Sequence, residues 1–188
     1  MDHLIRKPLP EFSLFGYFQG ESRIFTQDDL HGRWAVLFFY PADFSFVCPT
    51  ELKDLSDLFE DFEAEDCAIF SVSTDTHLVH EAWAKAHPDI RDLPFPMLAD
   101  PDGILCREYG VLPEDKGQAL RATFLLDPVG EVVLYEVQEL NIGRNAQELL
   151  RKLRAARFVA ENGDRLCTAA WQPGEPTLTP SLDLTELL

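Results

Sequence analysis

The sequence has few basic residues and only short apolar runs, which disfavours nucleic-acid-binding and membrane proteins. Lysine and arginine number 16 against 33 aspartates and glutamates, so the net charge is -17 with neutral histidines. A polyanion is repelled by phosphate backbones and by anionic lipid, which argues against nucleic acid and membrane surfaces as partners. The longest apolar run, Trp34 to Tyr40, is far shorter than the roughly 20 residues that span a bilayer.

Secretion and disulfide signals are also scarce. The first residues contain no basic segment followed by a long apolar stretch, and Pro8 and Pro10 interrupt them early. Four cysteines are too few for a disulfide scaffold in 188 residues, and no Cys-x-x-Cys pair occurs. We therefore expect a cytoplasmic protein in which any disulfide is transient and catalytic. No cofactor-binding motif is recognisable, so we expect no bound cofactor.

Short apolar runs alternate with longer amphipathic segments, which indicates an α/β fold. Trp34 to Tyr40 predicts a strand buried on both faces, and Pro49 suits the first turn of an amphipathic helix that continues through Phe62. We expect one domain over residues 1–161 and a tail over residues 162–188. The remaining predicted strands are 12–18, 23–25, 67–73, 95–99, 122–126 and 131–137, and the remaining helices are 76–87, 102–109 and 143–160.

The tail carries two residue types that prefer burial, Cys167 and Trp171. In a tail outside the compact domain, such residues predict packing against a partner chain.

Cys48 lies between the end of the buried strand and the first turn of the following helix. The free N–H groups and the positive end of the helix dipole stabilise an anion there, so we expect a thiolate near neutral pH. The alternative is an inert buried cysteine.

The segment around Cys48 resembles the active-site segment of the peroxiredoxins, P-x-x-x-T/S-x-x-C, with Pro41 and Ser45 at the other two positions. Its continuation from Val47 to Leu52 resembles the typical two-cysteine branch. Similarity is greatest to the bacterial alkyl hydroperoxide reductase C group. The further segments that carry this similarity are His77 to Trp83, Gly143 to Ala146, and residues 180–184.

The resemblance implies a thioredoxin-like fold, with a central mixed sheet flanked by helices, an N-terminal hairpin and a C-terminal tail. It implies a thiol peroxidase in antioxidant defence, in which Cys48 attacks hydrogen peroxide or an organic hydroperoxide and becomes a sulfenic acid. Cys167 matches the resolving cysteine, which would form an intersubunit disulfide with Cys48 in a homodimer that assembles into a decamer. Either a flavin disulfide reductase or thioredoxin would then reduce the disulfide.

The same resemblance implies roles for the other site residues. Arg121 matches the arginine of a Leu-Arg-x-Thr-Phe segment, and its fixed donors suit the departing oxygen of a peroxide. Ser45 would supply a hydroxyl and Pro41 would cover the sulfur. Glu51 would bridge Arg121 and Arg144, although an ordinary helix-start carboxylate is an equal alternative.

Two positions depart from the family pattern. Ser45 stands where most members of the branch have threonine, and it lacks the methyl group that restricts χ1. Cys167 is flanked by Leu166 and Thr168, where the family usually has Val-Cys-Pro.

Other functions and residues carry weaker signals. A dithiol-disulfide exchanger is disfavoured by the missing Cys-x-x-Cys, and a chaperone or scaffold is the rival outside enzymes.

Cys67 and Cys106 are expected in the core. His77 and His80 are expected to be solvated helix residues rather than metal ligands. Phe44 and Phe46, on the active-site loop, are candidate packing residues between subunits. Their apolar contacts must overcome the repulsion between negatively charged subunits, which salt screens.

Overall fold

A computed structural model describes residues 3–180 of the chain. The chain divides into two compact units, Met1–Ala146 and Gln147–Leu188. The predicted boundary between residues 161 and 162 stays a prediction. No helix of the described part combines the length and apolarity needed to cross a bilayer.

The first unit is built on a seven-stranded mixed sheet with the strand order β2-β1-β5-β4-β3-β6-β7. Its central pairs, β3 with β4 and β4 with β5, are parallel, and the other neighbours are antiparallel. The strands are β1 (Ser13–Phe18), β2 (Glu21–Thr26), β3 (Trp34–Phe39), β4 (Cys67–Ser73), β5 (Met97–Ala99), β6 (Arg121–Leu126) and β7 (Val132–Gln138).

Five α-helices accompany this sheet, and a sixth begins at Ala146. They are α1 (Cys48–Asp57), α2 (Phe59–Ala64), α3 (His77–Ala86), α4 (Pro88–Arg91), α5 (Ile104–Glu108) and α6 (Ala146–Asn162). The α/β class with an N-terminal hairpin agrees with the prediction.

Strand β3 determines where the site lies. All six of its residues are buried, and it is hydrogen-bonded on both sides, as the unbroken apolar run predicts. After Phe39 the chain leaves the sheet, passes through residues 40–47, and enters α1 at Cys48. The predicted strand-to-helix corner is therefore present.

The predicted helix from Pro49 to Phe62 is two helices. At Leu58 the backbone has φ -108° and ψ 8°, and the Leu58 N–H donates to Leu55 O, so the turn tightens and α1 ends. Leu55 and Phe62 are nevertheless both buried, which preserves the apolar stripe across the break.

Helix α6 begins three residues later than predicted. The expected start was Gly143, but the Arg144 N–H donates to the Glu51 side chain rather than to a helical partner. Residues 143–145 have no regular secondary structure, and the helix begins at Ala146.

The second unit folds back on itself beyond α6. Leu166 and Leu178 exchange both backbone hydrogen bonds, at 2.8 and 3.0 Å. Trp171 is 2% exposed, its ring lies 4.9 Å from that of Phe158, and its Nε1–H donates to Glu175 O. Trp171 is therefore buried by its own chain, and the packing of the tail against a partner chain stays a prediction. The segment at residues 180–184 falls outside the described residues except for Pro180.

Gly16 lies in the hairpin strand β1, where the packing leaves no room for a side chain. A substitution at this position therefore tests the packing of the sheet. A Cβ at this position would lie 2.8 Å from two ring carbons of Phe25 and 3.0 Å from Leu98 Cδ2. We expect Gly16→Ala to lower the free energy of unfolding by about 1–3 kcal/mol, measured by urea denaturation. Ser13→Ala, at an exposed position of the same strand, is the control and should change it by less than about 0.5 kcal/mol. Equal effects of the two substitutions would contradict this packing.

Candidate active site

Cys48 is the first residue of α1 and is fully buried. Pro49 follows it in the first turn, where the lack of an N–H costs no helical hydrogen bond. The Cys48 sulfur therefore lies at the positive end of a helix, in a place where water does not screen neighbouring charges.

Arg121 brings a guanidinium to this sulfur. It is the first residue of β6 and is 4% exposed. Its Nη1 lies 3.3 Å from Cys48 Sγ and 2.7 Å from Glu51 Oε2, while Nε donates to Leu140 O at 2.6 Å. Because both ends of the guanidinium are held, one of its N–H groups stays directed at the sulfur.

Glu51 is one helical turn beyond Cys48 and is 3% exposed. Its Oε1 accepts from the Arg144 backbone N–H and from Arg144 Nε, both at 2.9 Å. Its Oε2 accepts from Arg121 Nη1 at 2.7 Å and from Arg144 Nη2 at 3.1 Å. This bidentate geometry excludes an ordinary solvated carboxylate at a helix start.

Arg144 is held on every side. Its Nη1 donates to Ala122 O at 2.7 Å and to Thr123 Oγ1 at 3.2 Å. Its guanidinium carbon lies 3.3 Å from the centroid of the Phe38 ring, a cation–π contact. Sheet residues thus fix the arginine that holds Glu51.

Opposing effects determine the ionisation of this cluster. Burial raises the pKa of Glu51, but the hydrogen bonds and charge of Arg144, with the charge of Arg121, lower that pKa by more. Burial lowers the pKa of Arg144, and Glu51 offsets part of this. Two guanidiniums and one carboxylate leave a net positive charge in the cluster beside Cys48.

Ser45 and Pro41 lie in the loop that leads to Cys48. Pro41 is buried and Ser45 is half-buried. The Ser45 hydroxyl donates to Ala42 O at 2.8 Å, a contact within the loop rather than with the sulfur. Its expected role at the thiolate stays a prediction.

Cys167 lies in the second unit, half-buried and with a free thiol. Its Sγ is 3.9 Å from Ala155 O. Burial raises the pKa of this thiol, and the charge of Arg151 opposes the rise. Its expected role as the resolving cysteine also stays a prediction.

The expectation of solvated helix residues is wrong for His80, whereas His77 keeps part of its surface exposed. His80 is fully buried, with Nδ1 2.7 Å from Asp43 Oδ2, and His77 is half-buried with its ring stacked 4.8 Å from that of Phe15. Helical spacing alone did not reveal a partner 37 positions away in sequence. Within residues 3–180, no cluster of three or more histidine, cysteine or acidic side chains has the arrangement of a metal site.

Cys67 and Cys106 are both fully buried, in agreement with the sequence-based expectation. For Cys106, burial raises the thiol pKa, and the charge and hydrogen bond of Asp100 raise it further. Such a thiol stays protonated and unreactive at neutral pH.

The lowered pKa of Glu51 predicts how stability depends on pH. Its stabilising effect is complete above the unfolded pKa of about 4.3 and is lost as the pH falls through the lower folded value. We expect Glu51→Gln to lower the free energy of unfolding at pH 7 by about 3–5 kcal/mol, because it leaves two buried guanidiniums uncompensated.

Urea denaturation between pH 7 and pH 3 measures this, and the difference from wild type should shrink towards the acid end. Glu60→Gln, at an exposed position of α2, is the matched control and should change little. A difference that stays constant over this range would contradict the assignment.

Comparison with known proteins agrees with this architecture. A model of the AhpC/TSA family matches residues 5–135. Alkyl hydroperoxide reductase C of Salmonella typhimurium is 45% identical over 181 residues, which cover 96% of this chain and 97% of that protein. The protein of the same name from Bacillus subtilis is 42% identical over the same shares.

Two crystal structures confirm the thioredoxin-like peroxiredoxin fold. Enterococcus faecalis AhpC has a TM-score of 0.87 and 47% identity, covering 89% of this chain and 100% of that one. Reduced Plasmodium vivax 2-Cys peroxiredoxin has a TM-score of 0.91 and 30% identity, covering 97% of this chain and 96% of that one. The chain belongs to the AhpC/TSA family.

Proposed function

We propose that the protein is a thiol peroxidase that reduces hydrogen peroxide and organic hydroperoxides at Cys48, in the manner of an alkyl hydroperoxide reductase C. The observation that carries the proposal is the Arg121 guanidinium, 3.3 Å from a fully buried Cys48 sulfur at a helix start. The relatives named alkyl hydroperoxide reductase C support the substrate class.

In the first step, the Cys48 thiolate attacks one peroxide oxygen. The S–O bond forms while the O–O bond breaks, the sulfur loses two electrons, and the departing oxygen takes up a proton and leaves as water or alcohol. Negative charge grows on that oxygen, and the fixed N–H groups of Arg121 are suited to stabilise it in a site with little water. Ser45 is proposed to bind the peroxide through its hydroxyl, and Pro41 to keep water from the sulfur.

In the second step, the thiolate of Cys167 in a partner subunit attacks the Cys48 sulfenic acid. The S–S bond forms, the S–O bond breaks, and the hydroxyl leaves with a proton as water. A dithiol or flavin disulfide reductase then returns two electrons. The exposed Phe44 and Phe46, 57% and 95% accessible in the single chain, are proposed to pack between dimers in a decamer.

Neither rival function explains the buried charge cluster. A dithiol exchanger needs a second cysteine close to the first in sequence, and a scaffold has no use for a buried thiol beside a guanidinium. The cluster of Arg121, Glu51 and Arg144 is costly to bury, and its chemistry suits thiolate attack on a peroxide.

Activity measurements test the peroxidase proposal. Cys48→Ser should abolish peroxide consumption in the presence of a reducing system, whereas Cys106→Ala should retain it. Arg121→Lys keeps the charge but loses the fixed fork of donors, so the second-order rate constant with peroxide should fall about 10²-fold. Arg23→Lys, at an exposed position of β2, is the control. Full activity of Cys48→Ser would refute the proposal.

Non-reducing gels test the disulfide. Treatment with one equivalent of peroxide should convert the protein to a covalent dimer through Cys48 and Cys167. Cys48→Ser and Cys167→Ser should each abolish the dimer, and Cys67→Ala should leave it intact. A dimer that persists in Cys167→Ser would show that another cysteine resolves the sulfenic acid.

A further inference from the structure

A buried polar network lies beside the loop that leads to Cys48, and the proposed chemistry does not use it. Asp43 is 7% exposed and accepts from the Tyr40 hydroxyl, at 2.7 Å, through Oδ1. Its Oδ2 lies 2.7 Å from His80 Nδ1, and the other ring nitrogen of His80, Nε2, is 3.3 Å from Leu98 O. The Asp43 N–H donates to Asp75 Oδ2 at 2.8 Å.

The two ring nitrogens of His80 contact different groups. Nε2 lies 3.3 Å from Leu98 O, whereas Nδ1 lies 2.7 Å from Asp43 Oδ2 and makes the shorter contact. The Nδ1 contact ties Asp43, and with it the loop, to α3.

Tyr40 completes the network from the end of β3. Burial, and then the nearby Asp43 carboxylate, raise the pKa of Tyr40, which keeps its hydroxyl protonated and donating. Asp75 in turn accepts from Ser73 Oγ at 3.1 Å, which fixes the carboxylate that receives the Asp43 N–H. Asp43 is thus held by groups from three separate segments.

Asp43 is also the anchor of the loop. Within residues 3–180, the hydrogen bonds that tie residues 41–46 to the rest of the fold all end at Asp43, and the Ser45 hydroxyl bonds only within the loop. The next residue, Phe44, has φ 53°, a left-handed conformation that a bulky side chain adopts at a cost. The Phe44 ring also lies 6.1 Å from that of Trp83 on α3, so Asp43 is the anchor through hydrogen bonds and not the loop's only contact. A strained segment with one hydrogen-bonded anchor depends on that anchor for its position.

We propose that His80 is a positioning residue for peroxide reduction: through its Nδ1 bond to Asp43, it holds the loop that carries Pro41 and Ser45 in the arrangement that Cys48 needs. The inference rests on the proposed peroxidase function. It predicts that the Nδ1 bond matters for rate and that the Nε2 bond to Leu98 does not.

Two amide substitutions separate these bonds. In His80→Asn, the side-chain nitrogen lies as many bonds from Cα as Nδ1 does, so it can donate to Asp43. In His80→Gln, the nitrogen lies as many bonds from Cα as Nε2 along the other branch of the ring, so it can donate to Leu98 O but not to Asp43. The two variants are similar in polarity and differ in which bond they keep.

The measurement is the second-order rate constant for peroxide consumption in a single turnover, with Cys167→Ser in every protein. We expect His80→Gln to lower it about 10- to 100-fold, and His80→Asn to stay within about threefold of the parent. Val72→Ala is the stability control, because Val72 belongs to the main core cluster, which contains none of Tyr40, Asp43, Asp75 and His80. Urea denaturation of each variant gives its stability.

Equal rate constants for His80→Asn and His80→Gln would overturn the inference. Rate constants that fall only in proportion to the loss of stability, as measured for Val72→Ala, would also overturn it. If the His80 variants do not fold, Asp43→Asn and Asp43→Ala replace them in the same measurement. In Asp43→Asn, the side-chain carbonyl can accept from Tyr40 and the amide can donate to His80 Nδ1, so this variant should react normally, whereas Asp43→Ala should not. Failure of the Cys167→Ser parent to react at all would instead refute the peroxidase function.

Discussion

The site depends on one buried carboxylate. Glu51 lies on α1, whereas Arg121 begins β6 and Arg144 precedes α6, and two buried guanidiniums would repel each other without an anion between them. The desolvation of such a cluster is recovered only when the geometry is close to ideal. Four hydrogen bonds to the two carboxylate oxygens meet that condition, at 2.7–3.1 Å.

Two of the buried cysteines lie beside charges of opposite sign. Cys48 and Cys106 are equally buried, and each lies in a short helix. Cys106 has the Asp100 carboxylate beside it, which strengthens the effect of burial on its pKa, whereas Cys48 has Arg121 and the start of α1. In a low dielectric the nearest charge acts with little screening, so the two thiols lie in opposite electrostatic environments, and the proposed nucleophile is the one beside a guanidinium.

The parts of the fold that follow from local pattern could be read from the sequence, and the parts that follow from distant partners could not. Strand β3 and the corner at Cys48 come from an unbroken apolar run and a well-placed proline. The link between Glu51 and the two arginines came from family resemblance, since no spacing rule joins residues 70 and 93 positions apart. His80 was misjudged for the same reason, because its exposure is decided by Asp43 and not by its own helix.

The loop between β3 and α1 must satisfy two opposing requirements. It has to keep water from a sulfur that is fully buried, yet a peroxide must reach that sulfur for any reaction to occur. The charge cluster is held to the sheet by the contacts of Arg144 with Ala122 O and with the Phe38 ring. The loop is anchored at Asp43 and strained at Phe44, so we expect the opening that admits a peroxide to occur in the loop beyond this anchor, while the charge cluster stays in place.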